Sequence, residues 1–357
     1  MPKRRIAIFQ EDLSLGGIQK SLINLLNSLD YSKCEVDLYL MKPDNFFGDN
    51  LPSHVNIREL KSLPTITKLL PFSLVKKLYS NYLKTLDTNY DVSIDFNGYQ
   101  PTTALGALSV AAKSRVVWVH SNYPARAKID TKFKVLLSLH VSKFGLFDNI
   151  VVVTRGLVDI MTRLTGISTD KTRVIGNLID VDEIFAKADQ AVDLAIDESK
   201  LNIVAVSRLV HIKGVDVLIG VIDRVLQYRD DVHLYVVGGG PERAHLEAQV
   251  VESRLSDHVT FLGPQPNPYA YMNLMDVFVS TSRYEGQGMS TLEAKSLGLR
   301  IFIPKHLEEF SYGVTGSDDL VSDIVSSVKA GKSRDELGEY NKRSKLALAE
   351  LIGYCDD

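Results

Sequence analysis

The chain has 357 residues, of which 45% are hydrophobic and 24% charged, with only two cysteines. This composition excludes disordered and collagenous chains, and two cysteines are too few for a disulfide framework or a cysteine zinc site. The length predicts two domains at ~100–200 residues each. The low cysteine content makes the reducing cytoplasm the expected location. No apolar run is long enough to predict a signal peptide or a membrane span.

The net charge of −3 hides an asymmetry along the chain. Residues 1–180 hold 23 Lys and Arg against 16 Asp and Glu, a net of +7, whereas the remainder holds 18 against 28, a net of −10. Halves of opposite sign indicate two domains with different partners, and the basic half is expected to face something anionic. A chance distribution is the alternative.

Short β-rich runs alternate with segments of helical period, such as Gly17–Ser28 and Lys76–Leu86. Strands are predicted in the first half at Ile6–Phe9, Val36–Leu40, Val92–Phe96, Val116–His120 and Ile150–Val153. The pattern restarts with strands at Ile203–Val206, Leu234–Val237, Val259–Leu262, Val277–Ser280 and Ile301–Ile303. Such alternation predicts two doubly wound, Rossmann-like α/β domains that face each other across a cleft. The predicted domains are residues 1–178 and 201–357, with a linker at 179–200.

Glycines follow several predicted strands, at the strand ends where doubly wound sheets bind ligands. Gly16-Gly17 opens a helix after the first strand, but it is not the G-x-G-x-x-G fingerprint, which counts against NAD. The later turn Gly238-Gly239-Gly240 would leave room for a flat base against the backbone. Each signal is weak by itself, because many strand–helix turns carry glycines for steric reasons.

Charged side chains follow two strands of the second half. Arg208 and Lys213 suit a diphosphate, and solvated loop cations are the alternative. Further on, the glycine-bearing turn 285–289 opens a helix whose free N–H groups can cradle a phosphate. Glu285 stands at the strand end and Glu293 inside the helix, and sugar hydroxyls are suitable hydrogen-bond donors to buried carboxylates. An ordinary surface glutamate is the alternative for the helix.

Glu285 and Glu293, with seven residues between them, resemble the E-x7-E signature of retaining GT-B glycosyltransferases of the GT4 family. The preceding S-R-L…K-G, the G-G-G-P turn and the segment 174–180 occur in the family's order. Gly16-Gly17 and the Trp118-Val119-His120-Ser121 segment also fit. The resemblance implies a hexosyltransferase-type enzyme of the EC 2.4 class that moves a sugar from a nucleotide-sugar, expected to be a UDP-sugar, to an acceptor hydroxyl with retained configuration. It places the enzyme in cell-surface polysaccharide or glycolipid synthesis.

The resemblance also implies roles for single residues. Arg208 and Lys213 would neutralise the diphosphate, Glu293 would hold the ribose hydroxyls, Glu285 would hold the donor sugar's hydroxyls, and His120 would lie near the anomeric centre. The implied donor-binding set is completed by Gly16, Gly17, Gly239, Gly286, Gln287, Gly288 and Met289. No metal or cofactor is expected, since cations and helix dipoles replace Mg²⁺ in such sites. The D-x-D at Asp180 and Asp182 is interpreted as structural.

The sequence departs from the family pattern in two places. Gly298-Leu299-Arg300-Ile301 stands where the family has Gly-x-Pro-Val, and Lys305-His306-Leu307-Glu308-Glu309-Phe310 replaces the glycine-rich loop expected after that strand. In addition, the short tail is expected to abbreviate the helix that crosses back onto the first domain.

Two stretches of the first half are both basic and apolar. Residues 61–86 contain five lysines and no acid, and residues 126–144 contain five cations and one acid. Such helices are typical of peripheral binding to an anionic surface, here the inner face of the cell membrane, where a lipid-linked or glycan acceptor would be met. A core-packed helix with a solvated basic face is the alternative. A pI of about 6.3 and the lack of an aromatic platform disfavour nucleic acid.

Two other functions stay open, a non-catalytic GT-B subunit that binds a partner transferase and a UDP-sugar epimerase of similar fold. The set Glu285, Glu293, Arg208 and Lys213 favours the transferase, because a scaffold has no physical need for it. The donated sugar, the acceptor, the linkage and the oligomeric state do not follow from the sequence.

Overall fold

The computed structural model describes residues 2–14, 16–42, 50–81, 86 and 89–354. The chain forms two compact units, the first comprising residues 1–178 and 339–357 and the second residues 179–338. Each unit has its own parallel sheet with helices around it. The predicted fold class of two Rossmann-like α/β domains is confirmed.

The first unit contains a seven-stranded sheet in the order β3-β2-β1-β4-β5-β6-β7, and all neighbouring strands are parallel. Its strands are β1 (Arg4–Gln10), β2 (Cys34–Leu40), β3 (Val55–Glu59), β4 (Tyr90–Asp95), β5 (Ala112–Val119), β6 (Asn149–Val152) and β7 (Thr172–Val174). Its helices up to this point are α1 (Gly17–Asn27), α2 (Phe72–Tyr79), α3 (Pro101–Ser109), α4 (Tyr123–Ile129), α5 (Thr131–His140) and α6 (Gly156–Thr165). The predicted helix 76–86 therefore begins earlier, after Pro71, and its second half lies largely outside the described residues.

The two edge strands, β3 and β7, were not predicted from the sequence. Most side chains of both strands are exposed, so neither strand carries the apolar run that marked the central strands. Burial on both faces is what makes a central parallel strand visible in a sequence, and an edge strand lacks part of that burial.

The second unit contains a five-stranded parallel sheet in the order β10-β9-β8-β11-β12. Its strands are β8 (Leu201–Val206), β9 (Val232–Val237), β10 (Val259–Gly263), β11 (Val277–Val279) and β12 (Arg300–Phe302). Its helices are α7 (Val181–Ala188), α8 (Val215–Val225), α9 (Arg243–Glu252), α10 (Pro268–Leu274), α11 (Met289–Ser296) and α12 (Leu320–Val325). The strand order reverses between β8 and β11, and ligands bind at such switch points in doubly wound sheets.

The C-terminal helix α13 (Gly338–Ile352) corrects the predicted domain boundaries, because residues 339–357 lie with the first unit and not with the second. The Tyr340 hydroxyl donates to the carbonyl oxygen of Asn177 at 2.8 Å, and a Cβ on Gly176 would overlap that hydroxyl. Arg4 donates to the carbonyl oxygen of Gly353 at 3.2 Å. The tail therefore does pack on the first unit, and Gly176 leaves the space for its anchoring tyrosine.

The predicted linker 179–200 belongs to the second unit, where α7 packs on α10. Asp180 caps α7, since its carboxylate accepts a hydrogen bond from the Glu183 N–H at 2.9 Å. An N-cap of this kind stabilises a helix by ~1 kcal/mol. The cap agrees with the structural interpretation of the D-x-D sequence.

Candidate active site

The loops that follow β8 and β11 are joined to each other in the second unit. The Thr281 hydroxyl donates to the carbonyl oxygen of Gly214 at 2.8 Å, and the Arg283 N–H donates to that of Ile212 at 2.8 Å. Gly214 has a φ of +64°, and a Cβ there would overlap the carbonyl oxygen of Thr281. Only glycine therefore allows the first loop to lie this close to the second.

Arg283 holds the short turn that presents Lys213. Its guanidinium pairs with both carboxylate oxygens of Asp216, at 2.9 and 2.6 Å, and also donates to the carbonyl oxygen of His211 at 2.6 Å. The hydrogen bonds from Arg283 lower the pKa of Asp216, so the pair stays ionised. This pair was not predicted from the sequence, because its members lie far apart in the chain and share no motif.

Lys213 and Glu285 are in direct contact. The Lys213 ammonium donates to the Glu285 carboxylate at 2.6 Å, and the two side chains are 24% and 14% exposed. The structure thus brings together the cation predicted to bind a diphosphate and the carboxylate predicted to bind a sugar. Arg208 is exposed, and its guanidinium has no hydrogen bond or ion pair with any described residue.

Glu293 is buried, with only 6% of its surface exposed, and it accepts a hydrogen bond from the Tyr269 hydroxyl at 3.0 Å. The alternative of an ordinary surface glutamate is therefore wrong. A buried carboxylate is costly unless it is hydrogen-bonded, and Tyr269 supplies part of that compensation. No motif in the sequence indicated Tyr269, which lies in α10 and reaches Glu293 from there.

The turn before α11 is buried, including Gly286, Gln287 and Gly288. Gly288 is the N-cap of α11 and offers no side chain to the first N–H groups of the helix. Helix N-termini of this kind favour anions, since their N–H groups and the helix dipole both attract negative charge. Met289, the first residue of the helix, is half-buried at the same end.

The triple glycine after β9 has a steric role within the chain itself. A Cβ on Gly238 would overlap the carbonyl oxygen of Ser207, and one on Gly240 would overlap that of Leu209. Backbone of the preceding loop lies against both glycines, and the room expected here for a flat base stays a prediction. A Cβ on Gly239 would meet only Pro264, at an ordinary distance of 3.4 Å, so its predicted part in donor binding stays a prediction.

His120, Gly16 and Gly17 belong to the first unit. His120 follows β5, and its Nε2 lies 2.8 Å from the carbonyl oxygen of Phe96, so this nitrogen carries the proton and donates it. The other ring nitrogen, Nδ1, has no hydrogen-bond partner among the described residues and is left as an acceptor. Gly16 is the N-cap of α1 and has an extended backbone conformation, and Gly17 is the first residue of that helix.

Burial lowers the pKa of His120 to about 3, so the ring is neutral near neutral pH. Because the unfolded ring has a pKa of ~6.5, the stabilising contribution is present above that value and is lost as the pH falls toward 3. We expect His120 to cost the first unit about 2 kcal/mol of stability between pH 7 and pH 5. Urea unfolding followed by the fluorescence of Trp118, the only tryptophan, measures this loss.

His120→Gln is the matched control for that loss, because the glutamine amide can still donate to the Phe96 carbonyl but does not titrate. The variant should unfold with a flatter pH dependence than the parent. Equal slopes for both proteins would show that His120 is not the group responsible.

Two family models match overlapping parts of the chain. The one described as Glycosyltransferase Family 4 matches residues 15–183, and the one described as Glycosyl transferases group 1 matches residues 172–306. Together they span all the predicted site residues. The chain belongs to the GT4-like glycosyltransferases. The predicted family and the predicted enzyme class, a hexosyltransferase-type glycosyltransferase, are confirmed.

This glycosyltransferase has relatives along most of its length. It is 26% identical over 309 residues to the N-acetylgalactosamine-N,N'-diacetylbacillosaminyl-diphospho-undecaprenol 4-alpha-N-acetylgalactosaminyltransferase of Campylobacter jejuni, which covers 85% of this chain and 81% of that one. It is 24% identical over 315 residues to the putative glycosyltransferase EpsF of Bacillus subtilis, which covers 86% and 80%.

Solved structures share the fold of this glycosyltransferase. Anabaena HepE, solved in complex with UDP and glucose, has a TM-score of 0.64 at 17% identity and covers 98% of this chain and 94% of its own. TarM of S. aureus, solved with UDP among its ligands, has a TM-score of 0.64 at 13% identity and covers 99% and 97%. Likeness at this level of identity establishes the fold.

Proposed function

We propose that this glycosyltransferase transfers a hexosyl residue from a UDP-sugar to an acceptor hydroxyl with retained anomeric configuration. The observation that carries the proposal is the contact of Lys213 with Glu285 in the unit that also buries Glu293. One cation for a diphosphate and two carboxylates for hydroxyls are the groups that a nucleotide-sugar requires. Two similar proteins support this proposal: one was solved in complex with UDP and glucose, and the name of the other contains diphospho-undecaprenol.

The Lys213–Glu285 pair gives the proposed reaction its first step. When a diphosphate binds, the Lys213 ammonium exchanges its carboxylate partner for a phosphate oxygen, and Arg208 adds a second cation. Glu285 is then free to accept hydrogen bonds from the donor sugar. As the bond from the anomeric carbon to the phosphate oxygen breaks, the acceptor oxygen bonds to that carbon and its proton passes to the departing phosphate. Negative charge grows on this phosphate during the step, and cations already in place stabilise that charge without reorganisation.

A panel of nucleotide-sugars tests the proposal. Thermal shift identifies the nucleotide-sugars that bind the purified chain, and UDP release is then measured with and without candidate glycan or lipid-linked acceptors. The proposal expects a UDP-sugar to bind and its sugar to appear on the acceptor, with the donor's anomeric configuration by NMR. Binding without turnover on any acceptor would favour the non-catalytic subunit, and an isomerised UDP-sugar would favour the epimerase.

We expect turnover to survive chelation of divalent metal ions. The cations that would hold the diphosphate are Lys213 and Arg208, and the uncapped end of α11 adds its dipole to their charge. UDP release in excess EDTA should therefore match UDP release in Mg²⁺. Loss of activity in EDTA with rescue by Mn²⁺ would contradict this and would make Asp180 and Asp182 candidate ligands.

We further propose that a basic apolar face of the first unit docks on an anionic membrane. In this proposal the face is made of exposed apolar side chains, between 38% and 58% accessible, together with nearby lysines: Ile66, Leu69, Leu74, Leu78, Ile129, Val135, Lys68, Lys76 and Lys77. Helix α2 buries Phe72 and Val75. One side of the helix therefore packs on the core, as the alternative of a core-packed helix predicts, while the other side stays exposed. No helix of the described chain has the length and hydropathy of a membrane span.

Changing Lys68, Lys76, Lys77 and Lys84 to Glu should abolish binding to anionic vesicles at low salt and leave UDP affinity unchanged. Lys84 lies outside the described residues. Each lysine near such a surface contributes ~1 kcal/mol, and the attraction is screened within ~10 Å at 0.1 M salt. Co-sedimentation with phosphatidylserine vesicles measures it, with the exposed Lys171 changed to Glu as the control. Binding that is insensitive to salt and to the four changes would favour a soluble acceptor.

A further inference from the structure

A cavity of about 240 Å³ lies in the first unit, between the loop after β4 and the helices α4 and α5. The strand order of this sheet reverses between β1 and β4, so the cavity opens at the edge where doubly wound sheets bind ligands. Its walls are largely apolar and include Tyr123, Phe133, Leu136, Leu137 and Phe144. Asp130 fixes the two helices that frame it, because its carboxylate caps α5 by accepting from the Phe133 N–H at 2.8 Å.

Cations line this apolar cavity. Lys68, Arg126 and Lys132 contribute to its wall, and none of the described residues that line it is acidic. Arg126 lies 4.0 Å from the ring centre of Phe133, so its charge is held against the apolar wall. Lys132 is exposed and has no ion pair with any described residue. The wall thus offers positive charge beside apolar surface.

A fourth cation, Lys143, does not add to that charge. Its ammonium is 3.6 Å from the Asp95 carboxylate, and both side chains are almost fully buried. Burial raises the pKa of Asp95 and lowers that of Lys143, because a low dielectric disfavours both charges. This pair closes one side of the cavity with no net charge. Arg126 lies 3.6 Å from the Asp130 carboxylate, which offsets its charge. The positive charge available to a ligand is therefore chiefly that of Lys68 and Lys132.

We propose that this cavity binds a lipid phosphate, with the chain segment nearest the phosphate against the apolar wall and the phosphate at the cations. This proposal rests on the proposed function and names the class of its acceptor. The cavity is smaller than the ~300–1,000 Å³ of ordinary ligand pockets, so it holds only a segment of the chain. Leu69, Ile129 and Val135, exposed on neighbouring elements, offer apolar surface to the rest.

Three probes test whether the cavity needs both the alkyl chain and the phosphate of the ligand. Decyl phosphate has both, decanol has the alkyl chain, and inorganic phosphate has the anion. Each is titrated into the full chain by calorimetry without vesicles. Decyl phosphate should bind more than about tenfold tighter than either of the others, because only it uses both the wall and the cations. Equal binding of decanol would show that the cations do not take part. Equal binding of phosphate would show that the apolar wall does not.

Two lysines of α5 provide a matched comparison, since both are exposed but only Lys132 lines the cavity. Lys132→Glu should weaken decyl phosphate binding about tenfold or more, and Lys134→Glu should change it less than about twofold. Equal losses would mean that general surface charge, and not this cavity, attracts the probe, and would overturn the proposal.

Leu136→Trp fills the cavity and should abolish decyl phosphate binding, while an unchanged UDP affinity in the same protein shows that the second unit is folded. Circular dichroism checks the whole chain, and the Lys132→Glu comparison decides the matter if this variant does not fold. Decyl phosphate that binds in the absence of any UDP-sugar binding would contradict the proposed function and leave the lipid phosphate site standing. Decyl phosphate that binds Leu136→Trp as it binds the parent would overturn the site.

Discussion

Glu285→Gln is expected to lower turnover by about two orders of magnitude or more and to leave UDP affinity nearly unchanged. The glutamine amide can still accept a hydrogen bond from Lys213, so the local structure is preserved. What it loses is the negative charge that holds the donor sugar's hydroxyls. Initial rates with the identified UDP-sugar and calorimetric titration of UDP measure the two effects separately.

The exposed Glu309 of the same unit provides the control, since Glu309→Gln makes the same chemical change away from the pair. That variant should keep the parent's turnover. If Glu285→Gln lowers UDP affinity as much as it lowers turnover, the carboxylate serves the nucleotide and not the sugar, and its assignment here is wrong.

Glu293→Ala is expected to weaken UDP binding by ~1.5–3 kcal/mol, a loss of roughly 10- to 150-fold in affinity. The reason is that a buried, charge-assisted hydrogen bond to the ribose is removed in a place that water reaches poorly. Calorimetric titration of UDP measures it. Glu293→Gln, which keeps the shape and loses the charge, should fall between the parent and Glu293→Ala.

Tyr269→Phe tests whether Tyr269 itself contributes to UDP binding or only positions Glu293. If Tyr269 only positions Glu293, its removal should weaken UDP binding less than Glu293→Ala does and leave the unfolding of the second unit cooperative. Unchanged UDP affinity in Glu293→Ala, with lower stability, would mean that Glu293 is a structural partner of Tyr269 and not a ribose ligand.

The central strands and the loops after them were predictable. Strands β1, β4, β8 and β11 are buried on both faces, and they therefore appear in the sequence as apolar runs. The strand-end position of Lys213 and Glu285 followed from those runs, since parallel strands bring their carboxyl ends to one edge. The edge strands β3 and β7 were not predictable in this way, because their exposed side chains carry no such pattern.

Tertiary structure alone decided the rest. The C-terminal helix α13 lies with the first unit because Tyr340 fits beside Gly176, and an amphipathic pattern does not say which sheet a helix will cover. The glycines at 238 and 240 allow the loop after β8 to lie close to them. A glycine in a sequence does not show whether its neighbour in the fold is a ligand or the chain itself. Arg283 and Asp216, which are 67 residues apart in the chain, form an ion pair that holds the turn carrying Lys213. This contact exists only in the folded chain. The sequence determined which residues carry the chemistry, and the fold decided what holds them, because local patterning records burial whereas long-range contacts depend on how the elements pack.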